Sequence, residues 1–168
     1  MEKKRPGMDS KQFAQILEMA KPGTQLDLVV TGSSMHPFLL SGQSVVRLQV
    51  RFDAKVGDIV FFDRGNHTLI LHRVIKELPG GRLLICGDRQ TWTETIHRDQ
   101  ILAIVVGIRR RDKFRPVSDW GYRLLVRIWM WLKPVRPEIY TLVAHIKGLY
   151  CEIKARCAKS AKNLPPKR

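Results

Sequence analysis

Between residues 25 and 108 the hydrophobic positions fall in short runs of β-forming residues: QLDLVVT, SVVRLQV, DIVFFD, TLILHRVI, RLLIC and ILAIVVGI. Turn-forming SGQ, GNH, PGG and GDR separate them. Short alternating or continuous apolar runs bounded by Gly, Asn, Asp and Pro read as strands. Six such strands predict a mostly antiparallel β-domain, either a barrel or a folded-over sheet.

Helical spacing flanks this block. Upstream, Phe13, Ile16, Leu17 and Ala20 recur at three and four residues after a capping Asp9 or Ser10, and Lys21-Pro22-Gly23 ends the run. Downstream, Ser118 or Asp119 caps a predicted helix bearing Trp120, Leu124, Ile128 and Trp131, which the prolines at 134 and 137 break. A second helical pattern follows, from Ile139 to Ile153. The expected organisation is therefore a tail and short helix over 1–23, a β-rich domain over 24–112, and a basic, aromatic helical extension over 113–168.

Composition narrows the choice of partner. The 168 residues include 30 Lys and Arg against 15 Asp and Glu, a formal charge of +15. Such an excess favours an anionic partner: nucleic acid, anionic lipid or an acidic peptide. Part of it sits at the ends, in EKKR and in Lys154–Arg168, where solvation alone also accounts for it. The aromatic and basic residues of 113–133, interleaved as Trp120, Arg123, Arg127, Trp129 and Trp131, have the composition of a helix lying at a membrane surface. An equally simple reading packs them on the β-domain as core. The three cysteines, Cys86, Cys151 and Cys157, form neither a paired framework nor a zinc-ligand spacing. No metal or cofactor is expected, and a reducing compartment fits.

The candidate chemistry lies in TGSSMHPFLL, Thr31–Leu40. Gly32 permits a sharp bend or a close backbone approach before Ser33 and Ser34, and Pro37 constrains the residue before it. A serine hydroxyl needs a base, and the base usually needs an orienting group. His72, between apolar Ile70 and Val74 on one alternating strand face, is a sheltered imidazole. Asp88 follows the next strand at a turn. Singly these read as a turn, a core histidine and a turn former. In order they match a Ser-His-Asp proton-transfer chain.

These segments resemble a family. GSSMHPFL is similar to the nucleophile box of type I signal peptidases and their relatives (the S24/S26 superfamily), in which the serine before the methionine attacks. GDIVFF resembles the strand box that follows, LHRVI the general-base box and CGDRQ the late Gly-Asp box. The resemblance covers about Leu28 to Ile108. It implies a mainly β, signal-peptidase/LexA-like fold of barrel type, and a Ser-His mechanism in place of the commoner Ser-Lys dyad. Ser34 is then the nucleophile, His72 the base and Asp88 its orienting acid. Glu94, a second acidic residue beyond the Gly-Asp, is a lesser candidate for supporting the site. The N–H of Ser34 would donate to the oxyanion, with the hydroxyls of Thr31 and Ser33 as open choices for the second donor. Trp92 either lines the cleft or covers a core edge.

The departures carry expectations too. Arg89-Gln90 stand where asparagines are usual, and Phe38 replaces a common threonine, which bears on substrate fit. The longest apolar run, Leu124–Leu132, is too short to span a bilayer, and no secretory signal is read at the N-terminus. The expected location is the cytoplasm, with contact at an anionic membrane through 113–168, and the expected substrate is a peptide such as the leader of a ribosomally made precursor. A second reading is a catalytically inactive module that binds anionic membrane or, less favoured, nucleic acid. A self-cleaving LexA-like repressor ranks last, since those proteins use a lysine base and carry an N-terminal helix-turn-helix.

Overall fold

The computed structural model describes residues 10–136 and residue 146. The chain forms two compact units, Met1–Trp131 and Leu132–Arg168. In the first, helix α1 (Ser10–Met19) precedes strands β1 (Gln25–Val29), β2 (Ser44–Gln49), β3 (Ile59–Asp63), β4 (Leu69–Leu78), β5 (Arg82–Cys86), β6 (Glu94–His97), β7 (Ile101–Arg110) and β8 (Lys113–Pro116). Helix α2 (Trp120–Trp131) closes that unit. Among the described residues of the second, a 3₁₀ turn covers Lys133–Val135. The expected cap at Asp9, the helix over 139–153 apart from Ile146, the basic ends, Cys151 and Cys157 lie outside the described residues.

All eight strands join one antiparallel sheet in the order β1-β2-β7-β3-β4-β5-β6, with β8 pairing β7 off this path. The sheet is mainly β architecture as the turn spacing predicts, but it is open: β1 and β6 end the path and do not pair with each other. A closed barrel is thus excluded as its description. Strand β7 organises the centre. Its first half pairs β3, its last four residues pair β8, and β2 runs along the other edge with a register shift between Arg47 and Leu48. A bulge there bends the strand and increases its twist, which lets one sheet fold over a core.

Alternation along β3 separates two cores. Ile59 and Phe61 join Ala14, Leu17, Val30, Met35 and Leu39 in one cluster. Val60 and Phe62 join Val74, Ile85, Ile101 and Ile104 in the other. Being buried on both faces, β3 reads as the unbroken IVFF of the sequence.

Two helix faces differ from their predicted ones. On α1 the buried pair is Ala14 and Leu17 beside half-buried Phe13, while Ile16 is exposed. Small Ala14 allows the close approach, so the contact stripe is rotated from the one the larger residues suggest. On α2, Asp119 Oδ1 accepts the Tyr122 N–H at 3.1 Å, the expected cap. The buried residues of that helix, however, are Tyr122 and Val126, and Trp120, Leu124, Ile128 and Trp131 face outward.

Candidate active site

The bend before the serines is built by Gly32. Its φ is +85°, a left-handed conformation that favours glycine, and a Cβ there would meet nothing within 4 Å. Conformation, and not close approach, is the reason for glycine here. Beyond it Met35 and Leu39 are buried in the first core cluster. They anchor a turn on which Ser34 is half-buried and Ser33 exposed.

Gly87 serves the other purpose. A Cβ at this position would lie 2.8 Å from the Ser34 carbonyl oxygen and 2.6 Å from Gln90 Oε1. The missing side chain lets the 87–90 turn press against the serine loop, where the Arg89 N–H donates to Ser34 O at 2.8 Å. Gln90 Oε1 in turn accepts the Gly87 N–H at 3.1 Å. Two segments far apart in sequence are thereby tied at the backbone of Ser34.

Ser34 and His72 line one cleft of about 680 Å³, with Leu28, Val30, Phe61 and Ile70 among its apolar walls. Thr31, Gln90 and Trp92 also line it, and Ser33 does not. Of the two hydroxyls left open for the oxyanion, then, Thr31 reaches the cleft wall and Ser33 faces solvent. Trp92 is a cleft residue, edge-on to the His72 ring at 6.1 Å between centroids. Phe38 lies elsewhere, packed edge-to-face on Tyr122 and Trp129 of α2, so its bearing is on helix packing and not on the cleft.

His72 is 2 % exposed, with the rings of Phe62 and Trp92 beside it. Its Nδ1 lies 2.7 Å from Glu94 Oε1. An ionised carboxylate only accepts, so in the neutral ring Nδ1 holds the hydrogen and Nε2 is the nitrogen able to take a proton. Burial pulls the His72 pKa below its ordinary value of 6.5; Glu94 opposes this through its hydrogen bond and charge, and Arg64 adds to the lowering. The imidazole is therefore neutral at neutral pH.

The expected partner of His72, Asp88, is held instead by Arg73. Asp88 accepts Nε and Nη2 of Arg73 at 2.8 and 2.6 Å, with both side chains essentially buried. The register explains the exchange of acids. Successive residues of a strand face opposite ways, so His72 and Arg73 look to opposite sides. Val74 pairs Ile85 and Ile85 pairs Glu94, which puts Glu94 on the His72 face. Arg73 pairs Cys86, and Asp88, two residues on, falls on the Arg73 face.

The Arg73 guanidinium also donates to Gly57 O at 2.7 Å and lies 4.9 Å over the Phe38 ring. Burial works strongly against its charge, yet Asp88, with a lesser contribution from Tyr122, outweighs this and raises its pKa. Trp129 Nε1 donates to Asp88 O at 3.1 Å, which ties α2 to the turn behind the serine.

Two arginines were missed by the sequence reading. Arg73 stands in the quoted LHRVI, and its place beside a buried strand histidine was the available signal. Arg64 donates to both oxygens of Glu94 at 2.8 and 2.7 Å, and lies 5.9 Å from the Trp92 ring. Nothing in the turn sequence DRGNH marks it, because the contact crosses from the β3–β4 turn to β6.

In comparisons with known families and curated proteins, no family model matches the chain and no curated protein matches it significantly. Among the described residues, no helix is long and apolar enough to cross a membrane.

Proposed function

We propose that the protein is a serine endopeptidase, similar in mechanism and fold to the histidine-type branch of the signal peptidase superfamily. The observation that carries this reading is the shared cleft of Ser34 and His72, with Nδ1 of the imidazole committed to Glu94. A base so arranged presents Nε2 in the correct tautomer for a serine proton.

In this reading Ser34 Oγ attacks the scissile carbonyl carbon as its proton passes to His72 Nε2. The Glu94 carboxylate holds the ring and stabilises the imidazolium. The tetrahedral intermediate collapses with cleavage of the C–N bond, and the imidazolium returns its proton to the leaving amine. Water, deprotonated by the same nitrogen, then hydrolyses the Ser34 ester and releases the carboxylic acid product. The Ser34 N–H and the Thr31 hydroxyl, both from residues that line the cleft, are the donors for the developing oxyanion. Asp88 and Arg73 act from behind, fixing the 87–90 turn.

Substrate class follows from the walls. Among the described residues β1 pairs only β2, which leaves its other edge open there, and Leu28, Val29, Val30 and Thr31 line the cleft. An extended peptide can add along such an edge through backbone hydrogen bonds, with alternate side chains in apolar pockets. The expected substrate is an unfolded leader-like segment with small or apolar residues before the scissile bond. The test compares wild type with Ser34→Ala and His72→Ala on such a peptide. Cleavage by both variants at the wild-type rate would reject the mechanism.

A further inference from the structure

A second hollow, of about 950 Å³, lies between β8 and α2, apart from the Ser34 cleft. Its floor is apolar, with Phe114, Leu125, Ile128 and Trp129 among the lining residues. Its rim is basic: Arg110, Arg111, Lys113 and Arg115 line it, and among the described residues no acidic one does. We propose that β8 and α2 form a docking face for an anionic lipid bilayer. This inference does not depend on the peptidase reading.

The outward face of α2 supplies the apolar part. Trp120 and Trp131 are 80 % and 79 % exposed, and Leu124, Leu125 and Ile128 are each about half exposed. The spacing 120–124–128–131 puts four of these on one stripe of the helix. A solvent-facing stripe of two tryptophans and two aliphatic residues contributes nothing to the core beneath, which Tyr122 and Val126 fill. Exposed Phe114 extends the apolar surface onto β8, its ring lying over Gly107, where a Cβ would clash.

Charge selects the partner. Residues 109–131 hold seven Lys and Arg against Asp112 and Asp119. Asp119 is engaged in capping α2. Arg123 and Arg127 are exposed on the same helix as the apolar stripe and line a separate hollow, while the rim arginines and Lys113 line this one with Leu125 and Ile128. Cations on both sides of a Trp-rich apolar strip match a surface with anionic headgroups above acyl chains. A nucleic acid would satisfy the cations but would leave Leu124, Leu125 and Ile128 in water.

The test uses the full chain with vesicles of phosphatidylcholine alone and of phosphatidylcholine mixed equally with phosphatidylglycerol. Cosedimentation is expected only with the anionic vesicles, weakening as salt rises, with tryptophan emission shifted to the blue and quenched by brominated acyl chains. The Trp120→Ala/Trp131→Ala variant and an Arg110→Gln/Arg111→Gln/Lys113→Gln variant should each lose about tenfold or more in binding. Their thermal unfolding should match wild type, since the substituted side chains are exposed. Binding undiminished in both variants, or absent in wild type, overturns the proposal. So does acrylamide shielding of Trp120 and Trp131 without vesicles, which would mean the chain's own C-terminal segment covers them. Retention of DNA or RNA that the tryptophan variant leaves intact, without vesicle binding, would assign the face to nucleic acid and also overturn it.

Discussion

Glu94 Oε1 lies 2.7 Å from Nδ1 of His72, across two strand pairings that set both side chains on one face of the sheet. The consequence is a division of labour between two acids: Glu94 serves the imidazole and Asp88 serves Arg73. The division predicts different phenotypes for their amides.

Glu94→Gln should lower kcat by roughly 10²- to 10⁴-fold with little change in stability, because an amide N–H facing Nδ1 favours the wrong tautomer. Steady-state kinetics on a cleaved peptide, with thermal unfolding as control, checks this. Wild-type kcat in the variant would take the ring-holding role away from Glu94.

Asp88→Asn should act on stability. Removing one partner of a buried ion pair leaves the other uncompensated, at a cost of about 3–5 kcal/mol. Urea unfolding should show that loss for Asp88→Asn and for Arg73→Met, and a smaller one for Arg73→Met with Asp88→Leu. Equal stability of all three and wild type would make the pair dispensable.

Burial of His72 sets the pH dependence. With its pKa below 6.5 in the folded protein, kcat/KM should rise with pH through one inflection below 6.5 and be level at neutral pH. Stability follows the same sign. The unfolded histidine takes up its proton first as pH falls, so this contribution is whole above 6.5 and is lost as pH drops from there through the folded value. His72→Gln should remove the inflection in stability, read from unfolding midpoints across the acid range.

Gly87→Ala tests the tie between the two loops. The new methyl group must displace Ser34 O or Gln90, and overpacking of this kind costs about 1–3 kcal/mol. A displacement of the nucleophile on the order of an ångström costs about 10²-fold in rate. Gly32→Ala has open space but a positive φ, so its effect should come from backbone strain.

Much of the sheet was legible because strand alternation is local. All six predicted runs form strands, within a few residues at each end. ETIH and KFRP were not seen as strands. Only Ile96 is buried in the first, and all four residues of the second are exposed, so neither carries an apolar pattern. Their pairing is decided by β5 and β7, which a local reading does not see. Ser34 and His72 were legible because bend chemistry and a polar residue in an apolar strand are local signals. The choice between Asp88 and Glu94 was not, since it depends on register across three strands. The outward face of α2 shows the same limit: spacing identified a stripe, while contact with Asp88 O and Phe38 turned the helix the other way.

The central claim is that Ser34 cleaves peptide bonds. Its most direct measurement is mass spectrometry of an unstructured peptide library incubated with wild type and with Ser34→Ala. Wild type should generate new peptide termini following small or apolar residues, and Ser34→Ala should generate none above the no-enzyme control. A library left intact by wild type, or cut identically by Ser34→Ala, would contradict it.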